Sequence, residues 1–113
     1  MTQQPSPPEV VDDVAHERFV AEVEGRVARL EYELDGDRLI LVHTEVPEQL
    51  GGRGLGGRLV QAAVARAAGD GLTLAPWCPY ARKWLQDQPD AAARVVIDWS
   101  PPYARRSGEP TGQ

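Results

Sequence analysis

The chain has a single cysteine, Cys78, and only two histidines, His16 and His43, in 113 residues. One cysteine cannot close an intrachain disulfide or build a cysteine-based zinc site, and two histidines are too few to hold a metal alone, so no metal is expected. No apolar run approaches the roughly 20 residues that cross a bilayer, and no charged-then-apolar leader opens the sequence, which points to a cytoplasmic protein with no membrane partner. A basic balance is also missing. The formal charge is −5 at pH 7, whereas nucleic-acid binding needs a basic face to neutralise phosphates, so nucleic acid is not an expected partner. What remains, with 42% hydrophobic and 26% charged residues, is ordinary globular composition with room for one core.

The charge that is present is unevenly placed. Residues 1–50 hold twelve Asp and Glu against four Arg, a net −8, and residues 51–113 hold five against eight Lys and Arg, a net +3. An anionic ligand would be drawn to the second half. Residues 1–15 and 99–113 are proline-bearing and aperiodic and are expected to be flexible, leaving one domain over 16–98.

Within that domain the pattern first has period two. Phe19, Ala21 and Val23 alternate with polar or solvent-facing positions, as do Ala28, Leu30, Tyr32 and Leu34. Glu24-Gly25 and Asp35-Gly36 mark hairpin turns between them. A third strand over 37–46 is apolar on both faces until His43, as in a covered sheet. Simple alternation puts Leu39, Leu41, His43 and Glu45 on one side. After Pro47 comes a loop with five glycines in seven positions, Gly51 to Gly57. A helix to about residue 68 follows, with Leu59, Val60, Ala63, Val64 and Ala67 on one stripe. Gly69-Asp70-Gly71 stops it, and 72–75 is a short fourth strand, parallel to the third by the right-handed crossover rule. Pro79 suits the first position of a second helix, with Cys78 as its N-cap and a stop near Pro89. Residues 90–97 suit a short helix followed by an extended stretch, and the pattern does not decide between these. The expected fold is α/β (α+β), a mainly antiparallel twisted sheet with two principal helices in the order β-β-β-α-β-α.

Two features carry chemistry. A strand, a glycine loop and a helix start leave several backbone N–H groups unpaired at the positive end of a helix dipole, a nest that suits a pyrophosphate. Glycine keeps Cβ atoms out of the phosphate's way, and Arg53 and Arg58 add positive charge. The bland alternative is a merely flexible loop. Gly52-Arg53-Gly54-Leu55-Gly56-Gly57 also satisfies G-x-G-x-x-G, but a dinucleotide fingerprint should open a βαβ unit directly after its strand and be followed by a strand ending in an acid. Here 47–50 intervene and 72–76 contain no acid. A phosphate-binding Walker loop fails as well, since Arg58-Leu59 stands where Lys and Ser or Thr are needed. The second feature is Cys78, whose position at a helix N-terminus favours a reactive thiolate, against the bland reading of a small buried hydrophobe.

The loop resembles the signature of the GNAT superfamily of acetyl-CoA-dependent N-acetyltransferases, Arg/Gln-x-x-Gly-x-Gly/Ala. Gly54-Leu55-Gly56 fits its end, Val46-Pro47-Glu48 enters as in that family, and Gly51 stands where the family has Arg or Gln. A compact subgroup of that superfamily is similar over about residues 19–89, including His43-Thr44-Glu45-Val46-Pro47, the glycine loop and Pro76-Trp77-Cys78-Pro79-Tyr80. The resemblance implies acetyl-CoA as co-substrate and a small or peptidyl amine as acceptor. Its pyrophosphate would lie on backbone groups of Gly51, Gly52, Arg53, Gly54, Leu55 and Gly56, with Val46 at the loop entrance. It also implies Cys78 and His43 as active-site residues. A histidine near pKa 6.5 suits proton removal from an ammonium, and Glu45 is placed to substitute for it or orient it. A non-catalytic acyl-CoA-binding or protein-interaction module on the same fold is the alternative, and a monomer or weak dimer is expected. Glu22, Glu24, Glu31 and Glu33 form a solubilising face or a funnel for cationic amines. Trp77, Tyr80 and Trp84 read as core or groove wall, and Trp99 and Tyr103 as residues that pack back on the sheet or seat a partner.

Overall fold

The computed structural model describes residues 9–101. One five-stranded sheet is built in chain order from β1 (Val11–Asp13), β2 (Arg18–Val23), β3 (Arg26–Asp35), β4 (Arg38–Glu45) and β5 (Thr73–Pro76). The first four run antiparallel, and β5 lies parallel to β4. Helix α1 (Leu55–Asp70) is the crossover between the parallel pair, and α2 (Pro79–Asp87) and a short α3 (Pro89–Ala92) follow. The order is therefore the expected one with a strand added at the front and a one-turn helix added near the end.

The hairpin signals work as their chemistry requires. Glu24 and Gly25 both have positive φ, at 56° and 78°. Two successive left-handed residues match the right-handed twist of the strands they join. On β2 and β3 the alternating residues Phe19, Ala21, Ala28, Leu30 and Tyr32 are buried, and they meet the α1 stripe of Leu59, Val60, Ala63, Val64 and Ala67 in one core. Leu39, Ile40 and Leu41 are all buried, which explains the unbroken apolar run in β4. Gly71, left-handed at φ 69°, ends α1. The undecided 90–97 region takes both forms: α3, then a chain that pairs with the outer side of β5 through Leu74 and Ile97. That pairing covers an otherwise open sheet edge.

The N-terminal stretch expected to be flexible contains an element of its own. Residues 11–13 form an edge strand paired to β2, too short for any periodicity to reveal. A side-chain clasp holds them. Arg66 of α1 donates to Asp12 at 2.8 Å and to the Tyr32 hydroxyl at 2.9 Å, while that hydroxyl donates to Asp12 at 2.6 Å. The guanidinium also lies 5.5 Å from the centre of the Tyr32 ring, and the ring itself packs 4.9 Å from that of Phe19. Strand, sheet and helix are thus tied at one point. His16 is exposed, as expected, and pairs with Asp13 at 2.9 Å. Trp99 lies under the Arg82 guanidinium at 5.7 Å, and Arg82 donates to the Trp99 carbonyl. Tyr103 and residues 1–8 lie outside the described residues.

The clasp carries a pH signature. Burial first, and the Asp12 acceptor second, push the Tyr32 phenol up to about 12 from an ordinary value of 10. The neutral phenol is the form the fold prefers, so this contribution is intact below pH 10 and is lost as pH rises from 10 toward 12. The loss should be on the order of 1 kcal/mol per pH unit. Urea unfolding at pH 9 to 11.5 should show that fall in the wild type, and Tyr32→Phe should flatten it. An equal slope in both proteins would mean that another group governs alkaline stability.

Candidate functional site

The site is organised by a break in β4. From Arg38 to Leu41 the strand is paired on both sides, to β3 and to β5. Beyond Leu41 the β5 pairing ends, and the carbonyl of Leu41 instead accepts the N–H groups of both Trp77 and Cys78 at 3.0 and 2.9 Å. The register on β3 also shifts there: Tyr32 faces Leu41, but Glu31 faces His43. Val42 is the extra residue of a β-bulge, and because side chains alternate with period two, one inserted residue sends everything after it to the opposite face.

The consequence corrects the expected grouping of Leu39, Leu41, His43 and Glu45 on one side. Thr44, paired with the core residue Leu30, takes the core face, while His43 and Glu45 pair with Glu31 and Arg29 on the outer one. His43 is half exposed there, with Nε2 3.5 Å from a Glu45 carboxylate oxygen. Glu45 accepts from Arg29 at 2.7 Å, and Arg29 also donates to Glu31 at 2.9 Å. The hydrogen bond to Glu31 first, with the charges of Glu45 and Glu31 adding to it, holds the Arg29 guanidinium above its ordinary range against the opposing effect of desolvation.

Cys78 is the N-cap of α2 with Pro79 at the first helical position, as the sequence indicates. Its surroundings are those of the alternative reading, a small buried side chain. Cys78 is only 4% exposed, and its Sγ lies 3.1 Å from Thr44 Oγ1 across the core face. The structure therefore joins Cys78 to Thr44, a residue that sequence reasoning passed over, and brings no direct contact between Cys78 and His43. The only sequence signal for Thr44 was a hydroxyl in an apolar strand, and alternation assigned it to the wrong side.

Thr44 also lines a pocket of about 290 Å³ with Val46, Leu50, Gly52, Gly54 and Tyr80. Gly51 to Gly54 are exposed at its mouth, and Gly52 and Gly54 have φ of 82° and 73°, conformations that favour glycine. Gly54 is the N-cap of α1 and offers no side chain to cap it. The Arg58 N–H bonds to the Gly54 carbonyl at 3.1 Å, so the N–H groups of Leu55, Gly56 and Gly57 precede the intrahelical ladder. Leu55 and Gly56 line the same pocket. Two residues assigned to this nest behave differently. The Gly51 N–H is already spent on the Glu48 carbonyl at 3.0 Å, and Arg53 reaches Glu24 at 3.5 Å.

Gly56 and Gly57 are glycines for another reason. A Cβ on Gly56 would come within 2.6 Å of the Tyr80 ring, and one on Gly57 within 2.6 Å of Trp84 Nε1. These two positions let α2 approach α1, and the ring of Tyr80 becomes a wall of the pocket, as its sequence context suggested. Burial first, and the charge of Cys78 second, raise the Tyr80 phenol above its ordinary value.

The GCN5-related N-acetyl-transferase family matches residues 18–95, well over half of the chain. A GCN5-like protein from Staphylococcus aureus, solved in solution by NMR, has the same fold with a TM-score of 0.64 and 23% identity, covering 86% of this chain and 94% of that one. No curated protein matches significantly.

The packing role of Gly57 is testable. Alanine should gain about 1 kcal/mol of helix propensity but lose roughly 1–3 kcal/mol to the collision with Trp84, for a net loss. Denaturant unfolding of Gly57→Ala decides it, and a stabilised variant would show that Trp84 yields freely. Gly56→Ala should cost less, because the exposed end of Tyr80 can swing aside.

Proposed function

Because the chain belongs to the GCN5-related N-acetyltransferase family, we propose that it transfers an acetyl group from acetyl-CoA to a small or peptidyl amine. One observation carries this reading: the uncapped N-terminus of α1 and the half of β4 that has left β5 open into the same pocket. The residues suit the ligand, since an exposed loop with positive-φ glycines and three N–H groups ahead of the helical ladder accepts a pyrophosphate without steric obstruction.

When bound, acetyl-CoA supplies an activated acyl carbon. Leu55, Gly56 and Gly57 would hold the pyrophosphate through their N–H groups, with Gly52 and Gly54 clearing the approach. The stretch of β4 beyond Leu41, unpaired on its β5 side, offers main-chain donors for a developing oxyanion. His43 takes the proton of the incoming ammonium on the outer face, and Glu45, 3.5 Å away, orients it. Cys78 is buried and its sulfur is engaged by Thr44, which favours direct attack by the amine over an acetyl-cysteine route. The acidic face around Glu31, Glu33 and Glu45 suits a cationic acceptor.

A second reading, a module that binds acyl-CoA without turnover, is favoured by Gly51. It stands where the family's Arg or Gln occurs, and its N–H is already bonded to Glu48.

Thermal melts with acetyl-CoA, CoA and NAD separate these readings from others. At about 100 times its dissociation constant a ligand adds roughly 2.7 kcal/mol, a shift of several degrees for a domain this size. A shift with both CoA species is expected, and none with either would overturn both readings. In transfer assays over polyamines, lysine peptides and small amines, His43→Ala should lose about 10²–10⁴ in rate, whereas Cys78→Ser should keep substantial activity. Near-complete loss in Cys78→Ser, together with one acetyl mass on the peptide that contains Cys78, would instead establish the covalent route.

A further inference from the structure

Two carboxylates flank His43 on the outer face of the sheet, and one arginine spans them. The register after the bulge sets His43 directly opposite Glu31 and Glu45 directly opposite Arg29. Arg29 then reaches both acids from between them. Its Nε donates to Glu31 at 2.9 Å, and its Nη2 donates to Glu45 Oε1 at 2.7 Å. That same Oε1 lies 3.5 Å from His43 Nε2. One carboxylate oxygen is therefore shared between a guanidinium and the imidazole.

Charge decides what this arrangement does to His43. A base must be neutral to accept a proton, and carboxylates beside an imidazole favour its protonated form. Glu45 follows His43 on β4, Glu31 faces it from β3, and Glu33, opposite Ile40, is the next residue of β3 on the same face. Arg18, opposite Glu31 on β2, is held by Asp13. On its other side β4 has no strand partner here, since its pairing with β5 ends at Leu41, and Cys78 lies across the core face against Thr44. Arg29 is thus the cation in direct contact with the acids around His43, and a guanidinium keeps its charge through the whole working range of pH. It reduces three negative charges to two, and its fork holds Glu45 in place from the side away from the imidazole.

We propose that Arg29 is a positioning residue for the acetyl transfer: by spanning Glu31 and Glu45 it fixes Glu45 beside His43 and offsets the carboxylate charge that would keep His43 protonated. The proposal rests on the reading of His43 as the base. The acceptor ammonium then passes its proton to a neutral imidazole, and the amine keeps the electron pair that attacks the acyl carbon.

The chain has only two histidines, and His16, paired with Asp13, serves as an internal control. NMR titration of the two imidazoles in the full chain without ligand tests the charge effect in the wild type, Arg29→Gln, Arg29→Lys and Glu45→Gln. Arg29→Gln should raise the His43 midpoint by about half a pH unit or more, as for one charge several ångströms away in a largely aqueous setting. Arg29→Lys, which keeps the charge, should stay near the wild type, and Glu45→Gln should lower the midpoint. His16 should not move. Loosening of the sheet alone would not shift His43 in opposite directions in the two Gln variants. In transfer assays the rise of kcat/KM with pH should move upward in Arg29→Gln by the same interval, so that its deficit is largest at low pH. Melts confirm that the variants fold, and if Arg29→Gln does not, Arg29→Thr, a better strand former, takes its place. An unmoved His43 midpoint, or a Lys variant that shifts as far as the Gln one, would overturn the proposal and leave the acetyl-transfer reading intact. A moved midpoint with an unmoved rate profile would overturn both the proposal and His43 as the base.

Discussion

The bulge at Val42 is the constraint on which the site depends. Before it, β4 is an ordinary buried strand held by neighbours on both sides. After it, the strand keeps only β3 and has exchanged its faces, so that Thr44 meets Cys78 at 3.1 Å inside while His43 and Glu45 stand outside. Without that extra residue the strand could continue beside β5, and the histidine would point into the core, where an unpaired imidazole is costly. The paired N–H groups of Trp77 and Cys78 on the Leu41 carbonyl mark where β5 turns away. One inserted residue thus opens the sheet and sorts the reactive side chains to its two faces.

The glycine run beside this opening does two separate jobs. Gly52 and Gly54 are required by the backbone, since both adopt left-handed conformations at an exposed turn. Gly57, and less strictly Gly56, answers to packing, since Trp84 and the movable end of Tyr80 occupy the space their side chains would fill. The same close approach of α2 to α1 brings Tyr80 into the pocket wall. Pocket shape and helix packing are therefore coupled, and the loop is more than a permissive hinge.

Away from the pocket, the charged groups serve cohesion. Arg66 gathers Asp12, Asp70 and the Tyr32 hydroxyl, and so adds a side-chain tie to an edge strand of three residues otherwise held by its ladder to β2 and by Arg18 on Asp13. Arg38 similarly reaches Asp35 and Asp98, binding the β3–β4 turn to the chain that covers β5.

Much of this was legible from local pattern alone. Period-two alternation located β2 and β3, hairpin glycines located their turns, the alanine-rich stripe located α1, and Pro79 with Cys78 located the start of α2, because each depends on forces that act within a few residues. The glycine loop at a helix start was legible for the same reason. The edge strand was not, since three residues carry no period and their partners, β2 and an Arg66 more than fifty positions away, are set by tertiary packing. Nor were the dual role of the glycines, the burial of Cys78 or the partnership with Thr44. Those follow from the bulge and from the helix–helix approach, which are settled by the pairing register and by which side chains share a volume. Sequence determined the elements and the chemistry they carry, and tertiary packing decided which groups meet, because a one-residue shift in register leaves composition and spacing unchanged while reversing every face that follows.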